Sequence, residues 1–157
     1  MSKSLKRVQT ALSAAGVAVQ IIETPASART APEAAQAAGV ALDQIVKSIL
    51  FAGESGGLYL FLTAGGQHVD LAKAAALAGQ ALLRAEADVV RKVTGFAIGG
   101  VAPLGHLTPL PVWMDPHLLG FAQVWAAAGT PHHIFAIDPS TLQSLTNAVV
   151  APFTMQL

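Results

Sequence analysis

The stretch Gly95-Phe-Ala-Ile-Gly-Gly-Val-Ala-Pro-Leu-Gly-His106 decides how the fold of this chain is interpreted. It places four glycines and one proline among small apolar residues, and no charged side chain lies between Lys92 and Asp115. Glycine permits positive φ and a close approach of the backbone to a ligand, and Pro103 restricts the exit from the stretch. Two interpretations follow: a turn between buried strands, or a loop whose backbone N–H groups polarise a carbonyl.

Length and composition predict one soluble domain spanning residues 1–157. The chain is 53% hydrophobic and only 11% charged, but much of the apolar excess is alanine, which favours helices. The most apolar run, 93–114, contains four glycines and three prolines, so we expect no membrane span. Residues 3–28 resemble a secretory signal, but the interrupting polar residues favour a helix, a turn and a strand. With no cysteine present, we expect no disulfide and a cytoplasmic location.

The charges are unevenly distributed although the net charge is zero. All nine Lys and Arg residues lie at or before Lys92, and only Asp115 and Asp138 are charged after it. Phosphate contacts require Lys or Arg, so this pattern excludes a uniformly basic nucleic-acid binder. It is compatible with a local basic face in the N-terminal half.

Capping and periodicity predict an α+β fold with a mixed, largely antiparallel sheet and peripheral helices. Thr30-Ala-Pro-Glu33 is a capping box that begins a helix, and Gly39 ends it. Strands cluster without regular βαβ alternation, which is typical of α+β proteins. The predicted helices cover 4–15, 31–38, 71–77, 88–94 and 139–146; the predicted strands cover 17–23, 45–52, 58–63, 81–84, 111–114, 121–126 and 133–137.

The residues around two catalytic patterns, a nucleophile elbow and a histidine metal site, argue against both. Gly53-Glu-Ser-Gly-Gly57 satisfies G-x-S-x-G, but a strand rather than a helix follows it, so we interpret it as a hairpin turn. The five histidines lack metal-ligand spacing, and without cysteine a structural zinc site is not expected. We expect no metal and no cofactor. His106 is the histidine retained as a candidate, because it ends the glycine-rich stretch.

Lys47 is the one charge in the apolar strand Gln44-Ile-Val-Lys-Ser-Ile-Leu-Phe51. Strand alternation places Lys47 on the face opposite Ser48. A lysine there either protects an edge strand or faces a phosphate or a ligand carboxylate. Both interpretations remain open on the residues alone.

Three blocks together resemble the YbaK family, whose fold is shared with the editing domain inserted in bacterial prolyl-tRNA synthetases. The first is the Lys47 strand. The second runs from His68-Val-Asp-Leu71 to the glycine-rich stretch, which contains the family's G-x-x-x-P loop as Gly99-Gly-Val-Ala-Pro103. The third runs from Ala127-Ala-Gly-Thr-Pro131 through Phe135-Ala-Ile-Asp-Pro139 to Leu142. The resemblance covers residues 25–147 and implies a barrel-like sheet of this editing-domain type.

The resemblance implies trans-editing, the hydrolysis of the ester that joins a wrongly attached small amino acid, such as alanine, cysteine or serine, to tRNA, commonly tRNA for proline. It implies Lys47 as the catalytic residue, contacting the terminal phosphate or ribose. Backbone N–H groups of Gly99, Gly100, Val101 and Ala102 would hold the ester carbonyl or ribose, and Pro103 would fix the loop. Ser48, His106 and Asp138 are further substrate-binding candidates, of which the last two could equally be structural caps. Expected partners are the acceptor end of an aminoacyl-tRNA and a prolyl-tRNA synthetase.

Two other functions are compatible with the same residues. A binding module could keep the pocket and capture tRNA or a synthetase without hydrolysis, as the scarcity of positive charge after Lys92 allows. An esterase could act on small acylated metabolites instead. Fold alone does not separate these functions.

Overall fold

The computed structural model describes residues 2–26 and 28–156. In this part of the chain the helices are α1 (Lys3–Ala14), α2 (Ala31–Ala38), α3 (Leu71–Ala78), α4 (Ala87–Thr94) and α5 (Pro139–Thr146). The strands are β1 (Ile21–Glu23), β2 (Ile45–Gly53), β3 (Leu58–Ala64), β4 (Leu82–Arg84), β5 (Val112–Met114), β6 (Val124–Ala127), β7 (His133–Ile137) and β8 (Val149–Val150). Short 3₁₀ turns cover Leu42–Gln44 and Pro116–Gly120.

The helix boundaries follow from local capping. The Thr30 side chain accepts from Glu33 N–H, and Gly39 closes α2 with a left-handed φ of 71°. Asp70 caps α3 and Asp138 caps α5, each accepting two backbone N–H groups with its side chain. Each cap of this kind stabilises a helix by about 1 kcal/mol. The predicted helix starts are therefore confirmed to within a residue or two.

The strands form one mixed sheet in the order β1-β7-β6-β2-β3-β5-β8, with β4 also paired to β2. The pairs β1–β7, β6–β7, β2–β3 and β2–β4 are antiparallel, and β2–β6, β3–β5 and β5–β8 are parallel. The predicted α+β class and largely antiparallel sheet are confirmed. In the described residues the strand order has two ends, so the sheet is open and is not closed into the barrel-like form that the resemblance implied.

Three segments differ from the sequence predictions. β1 begins at Ile21 rather than at residue 17, because the chain leaves α1 through a turn in which Val17 N–H donates to Leu12 O. β6 begins at Val124 rather than at residue 121, because a bend at residues 121–122 separates it from the 3₁₀ turn. The short strand β8 was not predicted; its two residues pair with β5.

The two faces of β2 are covered differently. Val46 and its neighbours on one face belong to the main core, which Leu5, Val8 and Leu12 of α1 complete. On the other face, Ile45 packs with the α2 cluster, and Ile49 and Phe51 pack with the α3 cluster. Lys47 therefore lies between two small apolar clusters and belongs to neither.

The G-x-S-x-G pattern lies in a hairpin. Gly53 N–H donates to Gly57 O at 2.8 Å, and β3 begins immediately afterwards. No helix follows the serine, so the arrangement of a nucleophile elbow is absent from this segment.

Candidate active site

A cavity of about 470 Å³ opens beside the edge of β2. Seven consecutive residues of the strand, Ile45 to Phe51, line it. Successive side chains of a strand point to opposite faces of the sheet, so a cavity on one face would be lined by every second residue. An unbroken run of lining residues therefore means that the strand presents its edge to the cavity. This volume lies within the range of small-molecule sites. The other walls contain Thr24, Ala28, Arg29, Thr30, Ala31, Ala34, Arg84, Ala85, Val90, Ile98, Gly99, Val101, Trp125, Ala126, Ala127, Thr130, Pro131 and Ile134.

The glycine-rich stretch enters this cavity as a tight turn. Gly100 N–H donates to Ala97 O at 3.0 Å, and Gly99 has φ of 92°, which favours glycine. The N–H groups of Gly99 and Val101 donate to no other described residue, and both residues line the cavity. Two unpaired donors next to a cavity can hold a carbonyl or an oxyanion. Because the turn uses the N–H of Gly100, that predicted donor is already occupied.

Gly100 also fixes the turn against the loop that follows β6. A Cβ added at Gly100 would lie 2.8 Å from the carbonyl carbon of Thr130 and 2.9 Å from its Cα. The Thr130 hydroxyl is itself held by His133 Nδ1 at 2.7 Å and His132 N–H at 3.1 Å. Only a residue without a side chain allows this backbone-to-backbone contact.

The remaining part of the stretch packs in the protein interior, on the side of the turn away from the cavity. Val101, Ala102, Pro103 and Leu104 are all buried. His106 Nε2 lies 2.7 Å from Ala102 O, and a carbonyl only accepts, so Nε2 carries the proton. Ala102, Pro103 and His106 do not line the cavity. Their positions are those of structural supports.

Helix α1 holds the same region from the other side. Arg7 donates to Gly95 O at 3.2 Å, and its guanidinium lies 5.0 Å from the ring centroid of Phe96. Phe96 in turn meets His106 edge-on, with ring centroids 6.0 Å apart. The start and the end of the glycine-rich stretch are therefore tied together through one aromatic ring.

The pKa of His106 is lowered by burial, and its hydrogen bond to Ala102 O opposes this only partly. The unfolded chain takes up a proton near pH 6.5, whereas folded His106 does so only at lower pH. We therefore expect the free energy of unfolding to fall as the pH drops below about 6.5. Thermal melts of the parent and His106→Gln between pH 7.5 and 5.5 test this, with exposed His68→Gln as control. The His106 variant should lose part of the pH dependence that His68→Gln retains; equal slopes would contradict it.

Lys47 is hydrogen-bonded in this structure. Its ammonium donates to Gln67 O at 2.5 Å, and Asp43 holds the Gly66–Gln67 segment by accepting from Gly66 N–H at 2.7 Å. Burial lowers the pKa of Lys47, and the nearby carboxylates of Asp43 and Asp115 raise it by a smaller amount. An ammonium has three donors, so the bond to Gln67 leaves two for a ligand.

Ser48 lines the cavity together with Lys47, although their side chains lie on opposite faces of β2. Neither a twist nor a bulge is needed to explain this, because the cavity meets the edge of the strand. Ser48 Oγ is buried and makes no hydrogen bond to a described residue.

Asp138 does not line the cavity. Its carboxylate accepts from Ser140 N–H at 2.8 Å and Thr141 N–H at 3.1 Å at the start of α5. The structure thus brings Lys47, Ser48, Gly99 and Val101 around one cavity and gives Asp138 a capping position. In the described residues, no group of three or more His, Asp or Glu side chains could hold a metal.

Several lining residues were not predicted as site residues. Arg29 and Arg84 are exposed basic residues of the cavity wall, and Trp125 lines it from β6. Thr130 lies in the third block of the family resemblance, but no role was predicted for it. No local pattern marks the arginines, because only the tertiary structure brings the ends of β4 and of the α2 entry loop to one cavity.

Comparison with known proteins decides the family. The family model described as "Aminoacyl-tRNA editing domain" matches residues 25–145, which is most of the chain. The chain is an aminoacyl-tRNA editing domain. The predicted resemblance is confirmed, and the general function of the domain is editing of aminoacyl-tRNA by deacylation.

Individual relatives agree with this assignment. The editing domain is 30% identical over 143 residues to "Uncharacterized protein YwhH" of Bacillus subtilis (strain 168), covering 91% of each chain. It is 24% identical over 126 residues to "Putative Cys-tRNA(Pro)/Cys-tRNA(Cys) deacylase EbsC" of Enterococcus faecalis, covering 80% of this chain and 77% of that protein. A crystal structure of "a putative trans-editing enzyme for prolyl tRNA synthetase" superposes with a TM-score of 0.93 at 50% identity, covering 99% of both chains. In the described part of the editing domain, no helix is both long and apolar enough to cross a membrane.

Proposed function

We propose that this editing domain acts in trans, hydrolysing the ester between a small, wrongly attached amino acid (alanine, cysteine or serine) and tRNA for proline. The observation that carries the proposal is the pair of unpartnered N–H groups, at Gly99 and Val101, in one cavity with Lys47. The names of two relatives refer to tRNA for proline or to its synthetase, which supports this choice of tRNA.

The chemistry needs no protein nucleophile. An aminoacyl ester is already activated, so positioning and carbonyl polarisation can suffice. The N–H groups of Gly99 and Val101 hold the ester carbonyl, and water, directed by the free ribose hydroxyl of the substrate, adds to the carbonyl carbon. The tetrahedral oxyanion collapses by breaking the bond to the ribose oxygen. That oxygen takes one proton of the water, the second proton passes to solvent, and the amino acid leaves as its carboxylate.

Lys47 supplies the positive charge in this scheme. With one donor on Gln67 O, it uses its remaining donors on the terminal phosphate or on the ribose, and so fixes the ester relative to the turn. The side chain of Ser48, on the face of β2 opposite Lys47, lies towards the amino acid, whereas its backbone lies at the strand edge. Pro103, Ala102 and His106 act indirectly, by holding the turn from behind.

The acceptor end of the tRNA enters past Arg29 and Arg84, which are exposed at the cavity. With no net charge on the chain and no lysine or arginine after Lys92, these contacts are few. Since phosphate contacts dominate affinity for nucleic acids, tRNA binding by the domain alone is expected to be weak. A prolyl-tRNA synthetase that holds the tRNA would supply the missing contacts.

A turnover assay tests the proposal against a binding module of the same fold. With alanyl-, seryl- and cysteinyl-tRNA for proline in large excess over protein, we expect multiple turnovers and release of free amino acid. Correctly charged prolyl-tRNA is the matched control and should survive longer. A pure binder protects the ester in proportion to the protein added, and that result would overturn the proposal. Equal cleavage of simple amino-acid esters would instead indicate a small-molecule esterase.

A further inference from the structure

The edge of β2 that faces the cavity has a gap in its strand pairing. β6 pairs with the start of this edge, at Ile45 and Val46. β4 pairs with its end, from Phe51 to Gly53. Between these two short partners, residues 47–50 have no strand beside them on this edge in the described structure. The cavity occupies this gap.

The hydrogen bonds of β3 show which backbone groups of β2 face the gap. Antiparallel strands alternate between hydrogen-bonded pairs and pairs whose polar groups point away from each other. Ser48 lies opposite Leu62, whose carbonyl accepts from Asp115 N–H, on the far side of β3. Leu50 lies opposite Leu60, whose N–H donates to Pro111 O on that same far side. The N–H and C=O groups of Ser48 and Leu50 therefore point away from β3 and into the gap.

These groups form a short recognition pattern. The carbonyl of Ser48 is an acceptor, the N–H of Leu50 is a donor, and both leave the same edge of the strand two residues apart. The β6 ladder ends at Val46 and the β4 ladder begins at Phe51, so neither group is bonded to a neighbouring strand. No other backbone group of the described residues donates to Ser48 O or accepts from Leu50 N–H. Both residues are half-buried and line the cavity. Half-buried backbone groups of this kind favour a partner, because leaving them unpaired costs free energy.

A planar ligand edge with a donor next to an acceptor satisfies both groups at once. The Watson–Crick edge of adenine has this pattern, with the N6 amino group as donor and N1 as acceptor. The α-ammonium of an amino acid offers only donors, so it would leave Leu50 N–H without a partner. Every tRNA ends in adenosine, which places this base next to the ester.

We propose that the gap in β2 is the subsite for the terminal adenine of the substrate, with N6 donating to Ser48 O and N1 accepting from Leu50 N–H. The assignment rests on the proposed function for the identity of the substrate. Val90 and Ile98 line the same cavity and provide apolar surface for the faces of the base; Ile98 is 55% exposed. Backbone recognition of this kind makes the subsite selective for the base without a dedicated polar side chain.

The test uses the unaltered protein and base analogues. Stable amide-linked alanyl-adenosine is titrated, and Kd is compared with those of analogues carrying 1-deazaadenine, purine or 7-deazaadenine. Loss of N1 or of the N6 amino group should each weaken binding about tenfold, whereas 7-deazaadenine should bind within twofold of adenine. Equal affinities across the series, or no binding by any member, would overturn the proposal. Weakening by 7-deazaadenine alone would also overturn it.

A backbone variant adds an independent check. Leu50→Pro removes the N–H that faces the gap. It breaks no hydrogen bond to β3, and strands accept proline at positions of this kind. It should weaken binding of the adenine ligand about tenfold and leave binding of the 1-deazaadenine ligand unchanged; equal weakening of both would contradict the pairing. Ester turnover by the parent protein is measured separately. A domain that discriminates the bases but hydrolyses no charged tRNA would retain this subsite and refute the proposed function.

Discussion

Replacing Gly100 by alanine is expected to lower kcat/KM for deacylation about 100-fold. The new Cβ would lie 2.8–3.0 Å from backbone atoms of Thr130 and Pro131, which cannot move aside as a flexible side chain would. The turn that carries Gly99 and Val101 must shift, and displacing a group that positions the substrate by about 1 Å can reduce the rate by that factor. Stability should fall by roughly 1–3 kcal/mol, as in other overpacked sites.

Gly57→Ala is the matched control for this variant. Gly57 lies in the β2–β3 hairpin, outside the cavity, and a Cβ there would contact nothing within 4 Å. Single-turnover deacylation of alanyl-tRNA for proline, measured well below the melting temperature of each variant, compares the two. Parent-like activity in Gly100→Ala would show that the position of the turn does not determine the rate.

Lys47→Met is expected to reduce the rate of deacylation by a factor of about 100. It removes the positive charge at the cavity while keeping most of the side-chain volume. Loss of one preorganised electrostatic contact typically lowers kcat by this amount or more. The variant also leaves Gln67 O without its donor, so a control must reproduce that loss elsewhere.

Lys73→Met provides this control. Lys73 also donates from its ammonium to a backbone carbonyl, Thr154 O at 3.1 Å, but it lies outside the β2 cavity. Stability should change similarly in the two variants, while only Lys47→Met should lose activity. A rate within twofold of the parent in Lys47→Met would remove Lys47 from the mechanism and favour its role in protecting the strand edge.

The parts of the fold that were predictable from the sequence are those with local signals. The capping box at Thr30, the cap at Asp138 and the hairpin at Gly53–Gly57 depend on residues a few positions apart, and all were predicted. The pairing of β8 with β5 was not, because strand partners are chosen by tertiary packing over long distances along the chain.

The site was partly predictable for the same reason. Lys47 and the glycine-rich stretch stood out by composition. The use of Gly100 N–H inside the turn depends on the positive φ of Gly99, which a glycine permits but does not require. Strand alternation predicted that the side chains of Ser48 and Lys47 lie on opposite faces. That both residues line one cavity follows from the short lengths of β4 and β6, which leave the edge of β2 open to it. Arg29 and Arg84 carried no signal, because basic residues are common on any surface.

Helix α1 supports the glycine-rich stretch although it lies outside the cavity. It precedes residues 25–145, where the family resemblance lies, and it contributes no group to the cavity. Nevertheless, Arg7 donates a hydrogen bond to Gly95 O and packs its guanidinium on the ring of Phe96. The side chains of Leu5, Val8 and Leu12 complete the main core. The glycine-rich stretch beside the cavity is thus held by a segment that a search for reactive residues would discard. Transferring the cavity to another protein would require helix α1 as well as the residues that line the cavity.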